Sequence, residues 1–529
     1  MKDYDVIVIG SGIGGLSSAL TLAKAGKKVL MVEQHNLPGG CSTSFVRGRF
    51  EFDASLHELC GIGEPGKWGY TGQLLNEDYG LPIQWKYSNE LYRVIAKARS
   101  GKIYDITLPT GCEAVCEKLE EYVPGSKKPM EQFIALAKEC YAASLYFDQH
   151  MWEKKKSDGT IAIKASIFLK HFFNYLLVAE RPFNEVLHRI KMPEDAIDIL
   201  NTYWVYLGAN LDELSFVAMA VMIYCYIEMK PAIPYHTSHA LATEMVEKLK
   251  SLGGEVYFNV KAKRIVSDEK GRIQGVDTDV GFIPSKHVIA NVNPATAYGQ
   301  LLDPRIKVPK REKKKVNAIP FSTRLFNVYL GLNKSAKELG IENYTVFCPG
   351  VLDSGDSISD SLSIDNVERA TATCYNAIYP DCSPEGTSIL TLTVPFSDDS
   401  WASVAQRDYV KVKERVAEMA IATYEKATGI IIRPYIEEIE IATPWTFARY
   451  LGTPQGTVYG NNNNKWNSMG SQLLGIRKDQ PIKGFKTTGA SGARGDGYSQ
   501  ALGSGKDIGN LTLEEIREEE KRNGKKTKA

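Results

Sequence analysis

The chain has no long apolar run. The longest, Ser215 to Ile227, holds about thirteen residues, and a helix needs about twenty to cross a bilayer. A membrane-spanning helix is therefore not expected, while peripheral contact with a membrane stays open. Charge of one sign is also missing. Lysine plus arginine (64) and aspartate plus glutamate (63) nearly cancel, for a formal net charge of +1. With the signs this evenly mixed, no nucleic-acid partner is expected. The nine cysteines are scattered, and the one close pair, Cys112 and Cys116, has no histidine at zinc-ligand spacing beside it. No metal site is expected from that pattern. Met1-Lys2-Asp3 leads straight into a strand without a basic n-region or cleavage site, so a reduced, cytoplasmic chain is the expectation. At 529 residues the chain is too long for one core, and two or more domains are expected.

What is present is concentrated first in Tyr4 to Glu33. Val6 to Ile9 is a β-branched run suited to a strand buried on both faces. Gly10, Gly12 and Gly15 then fill G-x-G-x-x-G, with Ser11, Ile13 and Gly14 between them. The first glycine permits a tight turn, the second lets backbone approach a pyrophosphate, and the third packs helix on strand. Leu16 to Ala25 has helical spacing, with Gly26 placed to end it. A second apolar strand, Val29 to Val32, ends at Glu33 and Gln34. A carboxylate about twenty residues beyond the glycine turn is placed to accept ribose hydroxyls. Strand, glycines, helix, strand and acid together predict a dinucleotide-binding unit.

Pro38-Gly39-Gly40-Cys41-Ser42 and Phe50-Glu51-Phe52-Asp53 follow closely. With them the chain resembles the flavin-dependent amine oxidase and phytoene desaturase superfamily. The resemblance implies FAD as cofactor, with Gly39, Gly40, Cys41 and Ser42 against it. Gly61-Ile62-Gly63-Glu64 is similar to a pattern of the carotenoid isomerase branch, and Thr443 to Tyr450 to one of the isomerase and retinol saturase branch. Gly253-Gly254-Glu255-Val256 through Val266 matches the stretch that in this family gives the adenine its backbone contacts, near Val260. Gly484 to Asn510 resembles the last FAD motif, a strand, a Gly489-Ala490 step, a glycine loop and a helix. Asp496 and Gly497 are included in the flavin site on this basis, and Arg494 and Asp496 either face the flavin edge or pair with each other.

The expected fold class is α/β: a discontinuous Rossmann-like FAD-binding domain with an inserted α+β substrate domain. Residues 1–80, 235–310 and 470–510 would form the FAD domain, 81–234 and 311–469 the substrate domain, and 511–529 a charged, fraying tail. The resemblance implies hydride transfer at flavin N5 to or from a long apolar unsaturated substrate, by saturation or desaturation of a C–C bond. Redox-neutral cis–trans isomerisation on reduced FAD is one alternative, and a non-catalytic prenyl- or lipid-binding protein is another. The electron donor or acceptor is not legible. Two departures from the family stand out. His57 and Glu58 replace small or apolar residues, and Tyr235-His236-Thr237-Ser238-His239 replaces a P-K-G-G turn. His239, His236, His57 and Asp496 are therefore the candidate catalytic residues, the histidines as anchors of a polar substrate end or proton donors. A structural histidine is the competing reading for His57, and capping of the following helix is the competing role for His236 and His239. The aromatic stretches 167–178 and 214–229 read as buried core, with tunnel lining or a lipid-facing surface as the alternative.

Overall fold

Five parallel strands carry the glycine turn: β1 (Val6–Ile9), β2 (Val29–Val32), β3 (Glu255–Tyr257), β4 (Val288–Ala290) and β5 (Phe485–Thr487), in the order β3-β2-β1-β4-β5. The computed structural model describes residues 3–55, 57–151, 165–208, 211–352, 359, 361–397, 400–462, 480–492, 494–495 and 497–526. Asp496 and part of the asparagine tract 461–464 lie outside them. Three widely separated stretches thus build one sheet. Every residue of β1 and β2 is buried, as unbroken apolar strands covered on both faces require. The helix α1 (Ile13–Lys24) follows β1 and is covered by the last helix of the chain, Tyr498–Lys526.

These two helices touch closely because small residues meet. A side chain at Gly505 would come within 2.3 Å of the Gly14 carbonyl oxygen. Ser17 Oγ donates to the Leu502 carbonyl at 2.6 Å and Ser18 Oγ to that of Gly505 at 2.9 Å. The same helix corrects the expected tail: residues 511–526 continue it without a break. Leu513 and Ile516 are buried in the core that contains Leu16 and Leu20, and Lys27 pairs with Glu520 at 2.7 Å. An apolar stripe at helical spacing outweighs the charge of the segment.

A second, seven-stranded sheet forms the inserted part, from Glu90–Ala98, Ile103–Pro109, Arg324–Leu332, Thr345–Leu352, Ala370–Cys374, Ser388–Phe396 and Ile436–Ala442. Its first two strands pair antiparallel across the turn at Arg99-Ser100-Gly101. Helices Lys127–Met151 and Phe216–Met229 pack on each other beside it, the latter almost wholly buried. Residues 167–178 divide: Phe168, Tyr175 and Val178 are buried, whereas Leu169, Phe173, Leu176 and Leu177 are exposed. No helix among the described residues is long and apolar enough to cross a membrane.

Candidate functional site

The glycine turn closes around one side chain that the sequence gives no reason to single out. Asn291, just past β4, donates its backbone amide to the Ile9 carbonyl at 2.8 Å. A Cβ added at Gly10, Gly12, Gly15 or Gly489 would meet Asn291 within 3.1 Å, on its backbone or side chain. A Cβ at Gly14 would lie 2.7 Å from the Gly489 Cα. The first and last glycine loops therefore share one packing centre. The Gly39-Gly40 loop joins them: the Gly39 amide donates to the Ser11 carbonyl at 2.9 Å, and Gly40 lies over Gly12. Ile13 and Ser42 are buried, and Ala490 follows Gly489 at the half-buried rim.

α1 begins at Gly12 with no side chain capping its first amides, so the positive end of a helix is free for an anion. Glu33 follows β2 directly, and there its Oε2 accepts from Ser11 N at 2.7 Å and Ser11 Oγ at 2.8 Å, and its Oε1 from His35 N at 2.9 Å. The carboxylate fixes the shape of the turn. Gln34 beside it is exposed. The Val260 amide is already engaged by the Glu33 carbonyl at 2.8 Å. An uncapped helix end, glycines where backbone must come close and an acid at the next strand end fit a dinucleotide.

An apolar cavity lies beside this unit. Its lining includes Leu59, Val221, Met222 and Tyr226, and it extends to Gly497, Tyr498 and Ser499 at the start of the last helix. Tyr498 Oη donates to the Cys41 carbonyl at 2.9 Å, tying that helix to the Gly39–Ser42 loop. On one wall Arg494 is buried between two carboxylates. Its Nε donates to Asp507 Oδ2 at 2.6 Å, its Nη2 pairs with Asp148, and its guanidinium lies 5.3 Å from the centre of the Tyr70 ring. Arg494 neither pairs at the surface nor stands free.

The loop after Phe50–Asp53 places His57 and Glu58 in the lining as well. The His57 ring stacks on Tyr206 (centres 5.8 Å apart), with Nδ1 2.6 Å from Thr373 Oγ1 and Nε2 3.3 Å from Thr393 Oγ1. Burial pushes His57 down to about 4, so the ring is neutral at physiological pH. Glu58 accepts from Tyr206 Oη at 2.7 Å and from Thr345 Oγ1 at 3.4 Å. Those bonds favour the carboxylate, but burial outweighs them and pushes Glu58 up to about 8. The sequence marks Glu58 only as a departure; its partners lie 148 residues away on the turn 202–206 and 287 residues away on the strand Thr345–Leu352.

His236 and His239 are not among the residues lining this cavity. They open the helix Thr237–Ser251, where His236 (φ 66°) and Thr237 (φ 75°) are both left-handed. A left-handed backbone is one that glycine adopts without strain and other residues rarely do. Here they are held from outside: Asp53 Oδ1 accepts the Ser238 amide at 2.9 Å and the Ser238 hydroxyl. His236 is exposed with Nδ1 3.4 Å from Tyr379 Oη, and His239 Nε2 lies 3.4 Å from Thr243 Oγ1 one turn along its own helix. His239→Ala is expected to keep the cofactor and change turnover by less than about threefold; steady-state kinetics would check it.

Comparison with known proteins agrees with this geometry. Residues 8–69 match the NAD(P)-binding Rossmann-like domain family. The chain is 24% identical over 515 residues to an all-trans-retinol 13,14-reductase of Danio rerio, covering 92% of this chain and 82% of the relative. It is 25% identical over 472 residues to a chloroplastic prolycopene isomerase of Daucus carota, covering 87% and 72%. Among solved structures, cyclohexylamine oxidase from Brevibacterium oxydans superposes with a TM-score of 0.60 at 15% identity, over 98% of this chain and all of that one. The last likeness bears out the α/β fold. The first two bear out the resemblance: the chain is a relative, along most of its length, of retinol reductases and prolycopene isomerases.

Proposed function

We propose that this chain is an FAD-dependent oxidoreductase acting on a carbon–carbon double bond of a long apolar polyene. The observation that carries the reading is the apolar cavity bounded by Glu58 and His57 on one wall and by the start of the last helix on another. FAD would lie along the glycine turn, Glu33 and the Gly39–Ser42 loop, with Gly489, Ala490 and Gly497 near its far end. When bound it supplies a hydride at N5, and the protein orients the substrate and excludes water. The amide end of the helix that starts at Tyr498 favours negative charge there. The five-stranded parallel sheet with α1 and the last helix is the FAD domain in this reading, and the seven-stranded sheet with its helices holds the substrate.

A second reading, redox-neutral isomerisation, is favoured by the prolycopene isomerase relatives. One experiment separates the two. The protein is reduced without oxygen and mixed in turn with all-trans-retinol, prolycopene and a polyunsaturated fatty acid. Reoxidation of the flavin with one substrate class, together with loss of one double bond, is the expected result. A geometric isomer formed while the flavin stays reduced would favour the second reading. A protein that changes none of the three contradicts both.

A further inference from the structure

We propose that Glu58 is the acid that protonates the substrate, a role resting on the flavin and polyene reading above. Saturating a C=C bond takes a hydride on one carbon and a proton on its neighbour. A bound reduced flavin would supply the hydride and be oxidised in doing so, while the proton needs a donor of its own. It must come from a group that reaches the apolar cavity, is protonated at the working pH and can lose that proton without disrupting the fold.

Glu58 meets these conditions. It lines the cavity and is 6% exposed, and among the described residues no lysine, arginine or histidine forms an ion pair with it. A carboxyl buried without a cation keeps its proton. Two hydroxyls, Tyr206 Oη and Thr345 Oγ1, are already aimed at its oxygens. They would hold the carboxylate left behind after proton transfer. In that step the substrate π bond and the Glu58 O–H bond break, two C–H bonds form, and the substrate gains two electrons and two hydrogens. Solvent returns the proton to Glu58 between turnovers.

The surrounding groups are poor alternatives. His57 on the same loop is neutral. Tyr203 and Tyr206 on the turn 202–206, Tyr226 and Cys225 on Phe216–Met229, Tyr344 beside the sheet and Cys60 are all pushed upward by burial. None of these gives up a proton as readily as a carboxylic acid. Activity that depends on protonated Glu58 is full below its pKa and is lost as pH rises through about 8.

The test uses Glu58→Gln, which keeps the size of the side chain and an acceptor for Tyr206, and Tyr206→Phe. Glu58→Gln should retain flavin and bind all-trans-retinol, yet lower single-turnover reduction by about 10²- to 10⁴-fold. Burial pushes Asp53 up to about 7 as well, so the infrared signature of Glu58 is the part of the buried carboxylic-acid band that is present in the wild type near neutral pH, fades above about pH 8, and is missing from the variant in the wild-type-minus-variant difference spectrum. Tyr206→Phe removes a bond that favours the carboxylate, so its falling pH limb should move to higher pH. In heavy water the wild-type product should carry one deuterium next to the carbon that receives the hydride. Wild-type rates in Glu58→Gln, or a pH limb unmoved in Tyr206→Phe, would overturn the role. If the wild type itself holds no flavin or reduces no polyene, the parent reading fails first and the proposal falls with it.

Discussion

Replacing Gly15 by alanine is expected to yield a protein that retains no dinucleotide. The new Cβ would sit 2.2 Å from the Gly10 carbonyl oxygen and 3.1 Å from the Asn291 Cβ. Neither neighbour is a flexible side-chain end. The first belongs to the tight turn itself, and the second to the residue on which both glycine loops pack. Relief therefore requires α1 to move away from β1. That movement withdraws the amides at Gly12 and beyond and opens the seam with Gly489. Overpacking of this kind costs about 1–3 kcal/mol or more, but its effect on binding is larger, because the site is the helix–strand junction. Gly26→Ala is the control. Gly26 has φ +78° but open space around it, so its substitution costs about 1 kcal/mol of strain and should leave the cofactor in place. Cofactor-to-protein ratio and melting temperature for the two variants check the contrast.

Arg494→Met should be the most destabilising change away from the glycine turn. The guanidinium is buried and serves Asp507 (0% exposed) and Asp148 (11%) at once. Removing it leaves carboxylates in a place water barely reaches, and breaking a buried pair in this way costs about 3–5 kcal/mol. Against a total stability of about 5–15 kcal/mol, that is enough to lower the denaturation midpoint sharply. Arg49→Met, which breaks an exposed pair with Glu437, should barely move it, because water screens that pair already. Equal midpoints for the two variants would show that Arg494 contributes no more than a surface cation.

The dinucleotide unit was legible because its signals are local. The buried strands, the glycine spacing and the acid of β2 lie within thirty residues, and each reports a backbone requirement. The discontinuous plan was legible for a similar reason, since each returning piece carries its own glycines. Asn291 was not legible: its importance comes from glycines at 10 to 15 and at 489 converging on it, and no local pattern announces that. The loss of glycines before the helix Thr237–Ser251 points as much to capping by His236 as to chemistry. The structure shows the left-handed backbone still there at His236 and Thr237, held by Asp53. The surroundings of Glu58 were not legible either: its partners Tyr206 and Thr345 come from two distant parts of the chain. The last helix was cut short in the sequence reading because charge concealed Leu513 and Ile516.

The central claim is that the glycine turn, Glu33 and the last helix together hold a flavin dinucleotide rather than a nicotinamide one. The direct measurement is the visible spectrum of the purified protein, followed by acid release and mass analysis of whatever is bound. The expected result is a yellow protein that releases FAD in about equimolar amount. A colourless protein that takes up no added FAD, or one that binds only NAD(P), would contradict the account.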